Sequence, residues 1–265
     1  MELNRLSLVT IVTVVYNDVN HIEKTILSVI NQTYSNIEYI VIDGGSTDGT
    51  VDIIRKYKEN ISYWVSESDK GIYDAMNKGI RRAKGNWCCF LNSGDLFVGL
   101  DTIKTIFEKH CYKCDVLYSD TIHVFKAGKF ICKAEPIDIL NTRMPFCHQS
   151  CFVRTEILKD NEFDCSYKIA ADYNLFYHLY NQKVSFLYLD IPISIFDNIE
   201  GVSSNNPILL FKEYSRINGK SAWRKIFKWK LKNILKNIFL CFPKNIRLFL
   251  DEKYKSRFTV YKKIN

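Results

Sequence analysis

Tyr39-Ile40-Val41-Ile42-Asp43-Gly44-Gly45-Ser46-Thr47-Asp48-Gly49-Thr50 is the stretch from which the rest of the chain can be ordered. It opens as an unbroken apolar run, the mark of a strand covered on both faces, as in a parallel sheet. The run stops at an acid, and two glycines follow. Gly44 and Gly45 permit dihedrals and close approaches that a Cβ would block. Thr47 or Asp48 can cap a helix that starts near Thr50. A carboxylate therefore stands at the C-terminal end of a buried strand beside a loop with room for a ligand, where open α/β sheets bind their ligands. An ordinary strand-to-helix turn uses the same residues, so the neighbouring segments must decide between the two.

Upstream, Leu8 to Val15 is a β-branched run that predicts a central first strand ending at Tyr16-Asn17-Asp18. Ile22, Ile26, Val29 and Ile30 then recur at helical spacing. Downstream come a helix (Val51, Ile53, Ile54, Tyr57) and a third strand from Ile61 to Val65. Ile72, Met76 and Ile80 place a helix directly after Asp69-Lys70-Gly71. The free N–H groups of a helix start favour an anion such as a diphosphate. Lys70 would add charge there and Asn77 a hydrogen bond. The fourth strand, Trp87 to Leu91, ends at Asn92-Ser93-Gly94-Asp95. In a parallel sheet Asp43 and Asp95 leave the same edge, and two acids facing a helix start suit a diphosphate bound through Mg²⁺ or Mn²⁺. Strand–helix alternation over these residues predicts an α/β fold with a Rossmann-like, mostly parallel sheet and helices on both faces.

The pattern changes after Asp101. A helix from Ile103 to Lys109 leads to two short strands, Ile122 to Phe125 and Phe130 to Lys133, which read as a hairpin about Ala127-Gly128. His148-Gln149 follows, then Ala170-Ala171-Asp172 at a helix start. Asp172 reads either as a helix cap or as a general base. Ile191 to Phe196 is the last strand, and Gly201-Val202-Ser203-Ser204 a loop.

Composition removes several function classes. The chain has 265 residues, 47% of them hydrophobic, enough for one large domain. No apolar run reaches the roughly 18–20 residues of a membrane span, and the N-terminal residues lack signal-peptide character. A cytoplasmic location is expected. The nine cysteines show no regular framework, and Cys111-x-x-Cys114 lacks the second pair of a zinc site. There is no G-x-G-x-x-G after the first strand and no G-x-x-x-x-G-K-[ST], which disfavours dinucleotide oxidoreductases and P-loop nucleotidases. A sugar-phosphate nucleotidyltransferase would want a Gly-rich, basic first loop, and Tyr16-Asn17-Asp18 is neither.

The net charge of +8 is concentrated: ten Lys or Arg and no acid lie between Tyr214 and Leu250. In Ser221 to Leu240, Trp223, Ile226, Phe227, Leu231, Ile234 and Ile238 share one helical face, with Arg224, Lys225, Lys228, Lys232 and Lys236 mostly opposite. That pattern suits an interfacial helix on an anionic membrane surface. With no reader motif in a near-neutral remainder, nucleic acid is not expected as a partner.

Six motifs in order, TIVTVVYN, YIVIDGGSTDGT, SESDKGIYDAMNKGI, FLNSGD, HQSCFVR and AADYNLF, make the chain resemble the inverting glycosyltransferase family 2 over roughly residues 7–205. The bacterial branch that builds O-antigens, colanic acid and other exopolysaccharides is the most similar. The resemblance implies a GT-A fold and a nucleotide-sugar donor, by default a UDP-sugar. It implies nucleotide contacts at Tyr16, Asn17, Asp43 and Gly44, and diphosphate contacts at Asp69, Lys70 and Asn77. The family's D-x-D metal motif aligns with Asn92-Ser93-Gly94, where both aspartates are missing, and leaves Asp95 as the candidate ligand for Mn²⁺ or Mg²⁺. Asp172 matches the catalytic base, and His148 and Gln149 fall on the acceptor side. A polyprenyl-diphosphate-linked glycan is the implied acceptor, met on the inner face of the cytoplasmic membrane. The expected division is a catalytic domain of residues 1–210, with a nucleotide-binding half to about 98 and an acceptor half from about 99, and a basic amphipathic tail of residues 211–265.

Overall fold

The structure is a computed structural model and describes residues 6–125, 128–197, 206–223, 226–231 and 262–264. The Gly201–Ser204 loop and most of the amphipathic tail lie outside the described residues.

The chain begins β1 (Val9–Val15), α1 (Ile22–Ile30), β2 (Ile37–Asp43), α2 (Thr50–Lys56), β3 (Tyr63–Ser66), α3 (Ile72–Arg82) and β4 (Trp87–Phe90). All seven residues of β1 are buried, and alternate side chains enter opposite cores. Val12, Val14, Ile40 and Ile42 pack with Met76 and Ile80 of α3 on one face. Val9, Ile11, Tyr39 and Val41 pack with Ile22 and Ile26 of α1 on the other. Burial on both faces is why these strands read as continuous apolar runs. Helix α3 lies unusually close to the sheet: a Cβ on Gly79 would come within 2.4 Å of Val12 Cγ1.

Strand β1 pairs in parallel with β2 on one side and β4 on the other, and β3 adds in parallel to β2. The chain thus moves outward from β1 to β3, crosses back through α3, and resumes at β4 on the opposite flank of β1. That reversal of direction opens a crevice at the C-terminal ends of β1 and β4.

The second half is built differently. It comprises β5 (Leu96–Phe97), α4 (Thr102–Phe107), β6 (Val116–Phe125), β7 (Gly128–Cys132), β8 (Cys151–Arg154), α5 (Thr155–Asp160), α6 (Ala171–Asn181), β9 (Phe186–Asp197), α7 (Pro207–Asn218) and β10 (Lys262–Ile264). Strand β8 joins β4 antiparallel, and β6 joins β8 antiparallel. The hairpin expected around residue 128 forms between β6 and β7. Strand β9 runs parallel to β6, with register breaks on either side of Asp120, and pairs antiparallel with β5. The sheet is parallel from β4 to β3 and mixed beyond.

The division expected at residue 210 falls inside a helix. Helix α7 spans it and packs into the domain: Leu210, Tyr214 and Ile217 lie against the α3–α6 core, and the Tyr214 ring sits 4.3 Å from that of Tyr173.

Candidate active site

The crevice at the ends of β1, β2 and β4 is built largely by short polar side chains. Asn17 adopts a left-handed conformation (φ 48°), which Asn tolerates better than most residues. Its N–H donates to Ser46 Oγ (2.7 Å), and its Oδ1 accepts from Thr47 N–H (2.8 Å). Asn17 therefore ties the loop after β1 to the loop after β2. The Asp18 and Val19 amides donate to Thr50 Oγ1 and Asp48 Oδ2, each at 3.0 Å. Asp48 also accepts from Thr50 N–H at 3.0 Å, holding the start of α2.

Asp43, expected to meet the nucleotide, is hydrogen-bonded to the loop that follows it. It is fully buried. Oδ2 accepts from the N–H groups of Gly45 (3.0 Å) and Ser46 (2.9 Å) and from Ser66 Oγ (2.6 Å), while Oδ1 accepts from Ser46 Oγ. With four donors its acceptor capacity is nearly filled, and it shapes the loop from inside. Gly44 is where the ligand side opens: a Cβ there would sit 2.5 Å from Asp69 Oδ2 and 3.4 Å from Tyr16 Cδ2. Because residue 44 has no side chain, the Asp69 carboxylate can lie beside the exposed Tyr16 ring.

Two carboxylates hold the loop just before α3, where the diphosphate is expected. Asp69 Oδ1 accepts from Gly71 N–H (2.8 Å), and Asp74 Oδ2 from Lys70 N–H (3.0 Å). Both amides precede the helix, which begins at Ile72 with Gly71 as its N-cap. The Lys70 side chain is exposed. Asn77, also expected on the donor side, bonds to the protein's own backbone. It is buried, and both ends of its amide are used: Nδ2 donates to Phe163 O (2.9 Å), and Oδ1 accepts from Phe163 N–H (2.8 Å).

On the β4 side, Ser93 Oγ donates to Asp18 Oδ2 at 2.6 Å and closes the crevice between the β1 and β4 loops. Asn92 Nδ2 stands 3.3 Å from His148 Nε2. His148 Nδ1 stands 3.5 Å from Asp172 Oδ2, and Asp172 Oδ1 accepts from Tyr173 N–H at 2.7 Å. A chain of three side chains, Asn92–His148–Asp172, thus links the end of β4 to the first turn of α6. Gln149, expected with His148, is buried in the 3₁₀ turn His148–Ser150.

Asp95 is 5% exposed. Its N–H donates to Asn92 O (2.9 Å), and its carbonyl accepts from Thr25 Oγ1 (3.0 Å). Burial pushes the neighbouring Cys147 thiol up to about 12, with Asp95 and Asp172 adding to the effect. The oxygen without a partner in this region is instead Asn92 Oδ1, which is buried and accepts no hydrogen bond. Mg²⁺ and Mn²⁺ in nucleotide sites commonly take one or two protein ligands plus phosphate oxygens and water. An orphaned carboxamide oxygen next to an imidazole fits that requirement. Among the described residues, no three His, Cys, Asp or Glu side chains converge as a metal cage.

A family model described as Glycosyl transferase family 2 matches residues 10–171. The chain belongs to glycosyltransferase family 2. The match runs from the second residue of β1 to the first of α6, so every crevice residue described above except Asp172 falls inside it.

Relatives share this domain to different extents. An uncharacterized glycosyltransferase of Mycobacterium tuberculosis is 43% identical over 101 residues, covering 38% of this chain and 38% of its own length. A PGL/p-HBAD biosynthesis glycosyltransferase of Mycobacterium bovis is 28% identical over 187 residues, or 67% of this chain and 72% of its own. Among solved structures, S. aureus TarS 1-349 in complex with UDP superposes with a TM-score of 0.60 at 21% identity, covering 79% of this chain and 64% of that one. The mannosyltransferase PcManGT of Pyrobaculum calidifontis, in complex with GDP-Man and Mn²⁺, gives 0.60 at 18% identity, covering 78% and 61%. These likenesses establish the GT-A fold for this glycosyltransferase family 2 chain.

Three contributors to the site were not singled out from the sequence. Asp18 bridges the crevice. Tyr73, from α3, is buried against the start of α6, where burial pushes its phenol well up and Asp172 adds to the rise. Glu213, from α7, is buried beneath the turn that leads to Asp172. For Glu213 a signal existed: an acid at helical spacing within the apolar stripe of Leu210 and Ile217.

Proposed function

We propose that this chain transfers a sugar from a nucleoside-diphosphate donor to an acceptor hydroxyl with inversion at the anomeric carbon, and that Asp172 is the general base. The observation that carries the reading is the Asn92–His148–Asp172 chain, which begins at the C-terminal end of β4 beside the crevice. In the reaction, Asp172 Oδ2 takes the proton of the acceptor hydroxyl. The acceptor oxygen forms its bond to the anomeric carbon from the face opposite the diphosphate. The bond to the leaving oxygen breaks, and its electron pair departs with the nucleoside diphosphate. An α-linked donor gives a β-linked product. Tyr173 N–H holds Asp172 Oδ1 in place while Oδ2 works, and His148 Nδ1 stands 3.5 Å from Oδ2 on the other side.

The donor's base is assigned to Tyr16 and Asp69. An exposed ring offers a stacking face, and a carboxylate beside it accepts from a ring N–H, which uracil and guanine both carry. A UDP-sugar is the proposed donor, supported by the neighbours that bind UDP, UDP-GlcNAc or GDP-Man. A divalent cation would be held by Asn92 Oδ1 with His148 alongside, and when bound it neutralises charge on the leaving diphosphate. The proposed acceptor is a polyprenyl-diphosphate-linked glycan of bacterial surface polysaccharide, reached from the inner face of the cytoplasmic membrane. The basic, aromatic-rich segment after α7 supports that location. No helix among the described residues is long and apolar enough to cross a membrane.

The test is nucleoside diphosphate release from UDP-, GDP- and dTDP-sugars with a polyprenyl-diphosphate-linked N-acetylglucosamine acceptor, run with Mn²⁺, Mg²⁺ or EDTA. Release from one donor is expected, falling on the order of 100- to 10,000-fold in Asp172→Asn with binding of the nucleoside diphosphate retained. Full turnover in Asp172→Asn sinks the base assignment. Silence with every donor favours a sugar-nucleotide-binding protein over an enzyme.

A further inference from the structure

Helix α7 follows the last long strand and lies beyond the family match. Its inward stripe carries Leu210, Tyr214 and Ile217, and within that stripe lies Glu213, 8% exposed. A carboxylate in an apolar stripe is expensive to bury unless hydrogen bonds replace its water. Here two consecutive backbone amides do so: Lys168 N–H donates to Oε1 at 2.9 Å and Ile169 N–H to Oε2 at 3.1 Å. These amides end the turn whose next residue, Ala170, is the N-cap of α6, with Asp172 two positions on.

Other residues of α7 grip the same segment. Arg216 donates to Ser166 Oγ at 2.8 Å, and its guanidinium lies over the Tyr167 ring at 4.3 Å. Asn218 Nδ2 donates to Tyr173 Oη at 3.0 Å, and that hydroxyl donates in turn to Leu140 O at 2.7 Å. Ser166, Tyr167, Lys168, Ile169 and Tyr173 bracket Asp172 on both sides. An aliphatic residue at 213 would fill the stripe but would take away the acceptors of two part-buried amides. The side chain chosen is the one that fixes a backbone.

We propose that Glu213 is a positioning residue for sugar transfer: it sets the turn from Lys168 to Asp172 and so aims Asp172 Oδ2 toward His148 and the acceptor. This rests on the reading of Asp172 as the base. It extends the working machinery to a helix outside the family match.

The test compares Glu213→Gln, Lys212→Ala on the exposed face of α7, Asp172→Asn, and the double variant Glu213→Gln/Asp172→Asn. Glutamine keeps one acceptor but sets an NH₂ against the second amide. In Glu213→Gln, amide hydrogen exchange should accelerate at Lys168 and Ile169 while the rest of the domain keeps its protection. Turnover should fall about 100-fold, the scale of a small misplacement at a reacting centre, with UDP and GDP affinities unchanged. Lys212→Ala should match wild type in both readouts. Because Glu213 acts through Asp172, adding Glu213→Gln to Asp172→Asn should leave the residual rate where it was. Unchanged turnover despite a deprotected turn overturns the proposal, as does a full independent loss in the double variant. Failure of the base reading is seen separately, in Asp172→Asn alone.

Discussion

His123 is an aromatic-flanked imidazole with an unsatisfied nitrogen. Its Nε2 stands 3.3 Å from Cys147 Sγ, and its Nδ1 is buried without a partner. Burial holds its pKa below the ordinary 6.5. The unfolded chain therefore takes up the proton first as the pH falls. The stability tied to neutral His123 is complete above about 6.5 and drains away as the pH falls through that value toward the folded one. Melting temperatures measured from about pH 7.5 to about 5.5 should fall less steeply in His123→Phe than in wild type; parallel curves would remove His123 from the acid response. Residue-scale roles near the crevice were only partly legible in the sequence. Asp43, Asp69 and Asn77 were all recognisable as polar residues near a ligand edge. Which of them faces the ligand depends on what each bonds to. Asp43 is enclosed by Ser46 and Ser66, and Asn77 is taken by a backbone 86 residues away. Motif spacing carries no record of such distant partners.

At the scale of elements, α3 and β1 are pressed together at a single glycine. Adding a methyl group at Gly79 forces it onto Val12 Cγ1. Gly79→Ala should therefore cost about 1–3 kcal/mol through overpacking, read as a lower Tm, even though alanine is the better helix former. Val12→Ala in the same chain should recover part of the loss; additive losses in the double variant would mean that the two residues do not meet. The first four strands and their helices could be read from the sequence because each is a local pattern, an apolar run or a 3.6-residue period. The second half was less readable. Strand β8 is four residues long and β5 only two, too short for periodicity to register. The antiparallel pairing of β4 with β8 joins segments far apart in the chain. Helix α7 straddles the boundary expected at residue 210, and its one acid, Glu213, faces inward.

At the scale of the molecule, the segment beyond α7 combines basic charge with exposed apolar side chains. Trp223 is 68%, Phe227 52% and Leu231 44% exposed, and the first two rings stack at 5.4 Å. Residues 226–231 are helical and carry Lys228 and Lys230 outward. We propose that this segment contacts lipid: apolar side chains are worth roughly 1.5–3 kcal/mol each when buried, and lysines about 1 kcal/mol each near an anionic surface. In sedimentation with phosphatidylglycerol vesicles, Trp223→Ser/Phe227→Ser should bind at least about tenfold more weakly, and salt should weaken the wild type. Equal binding by both proteins would assign the contact elsewhere. The order in which the fold closes has a consequence for biosynthesis. A growing chain can assemble the parallel sheet as soon as β4 has left the ribosome, because β1 to β4 pair among themselves. The edge of β6 waits for β9, made some 70 residues later, and the amides before Asp172 wait longer still for the carboxylate of Glu213. A nascent chain can therefore pair the four strands behind the crevice well before the turn that carries Asp172 is held in place.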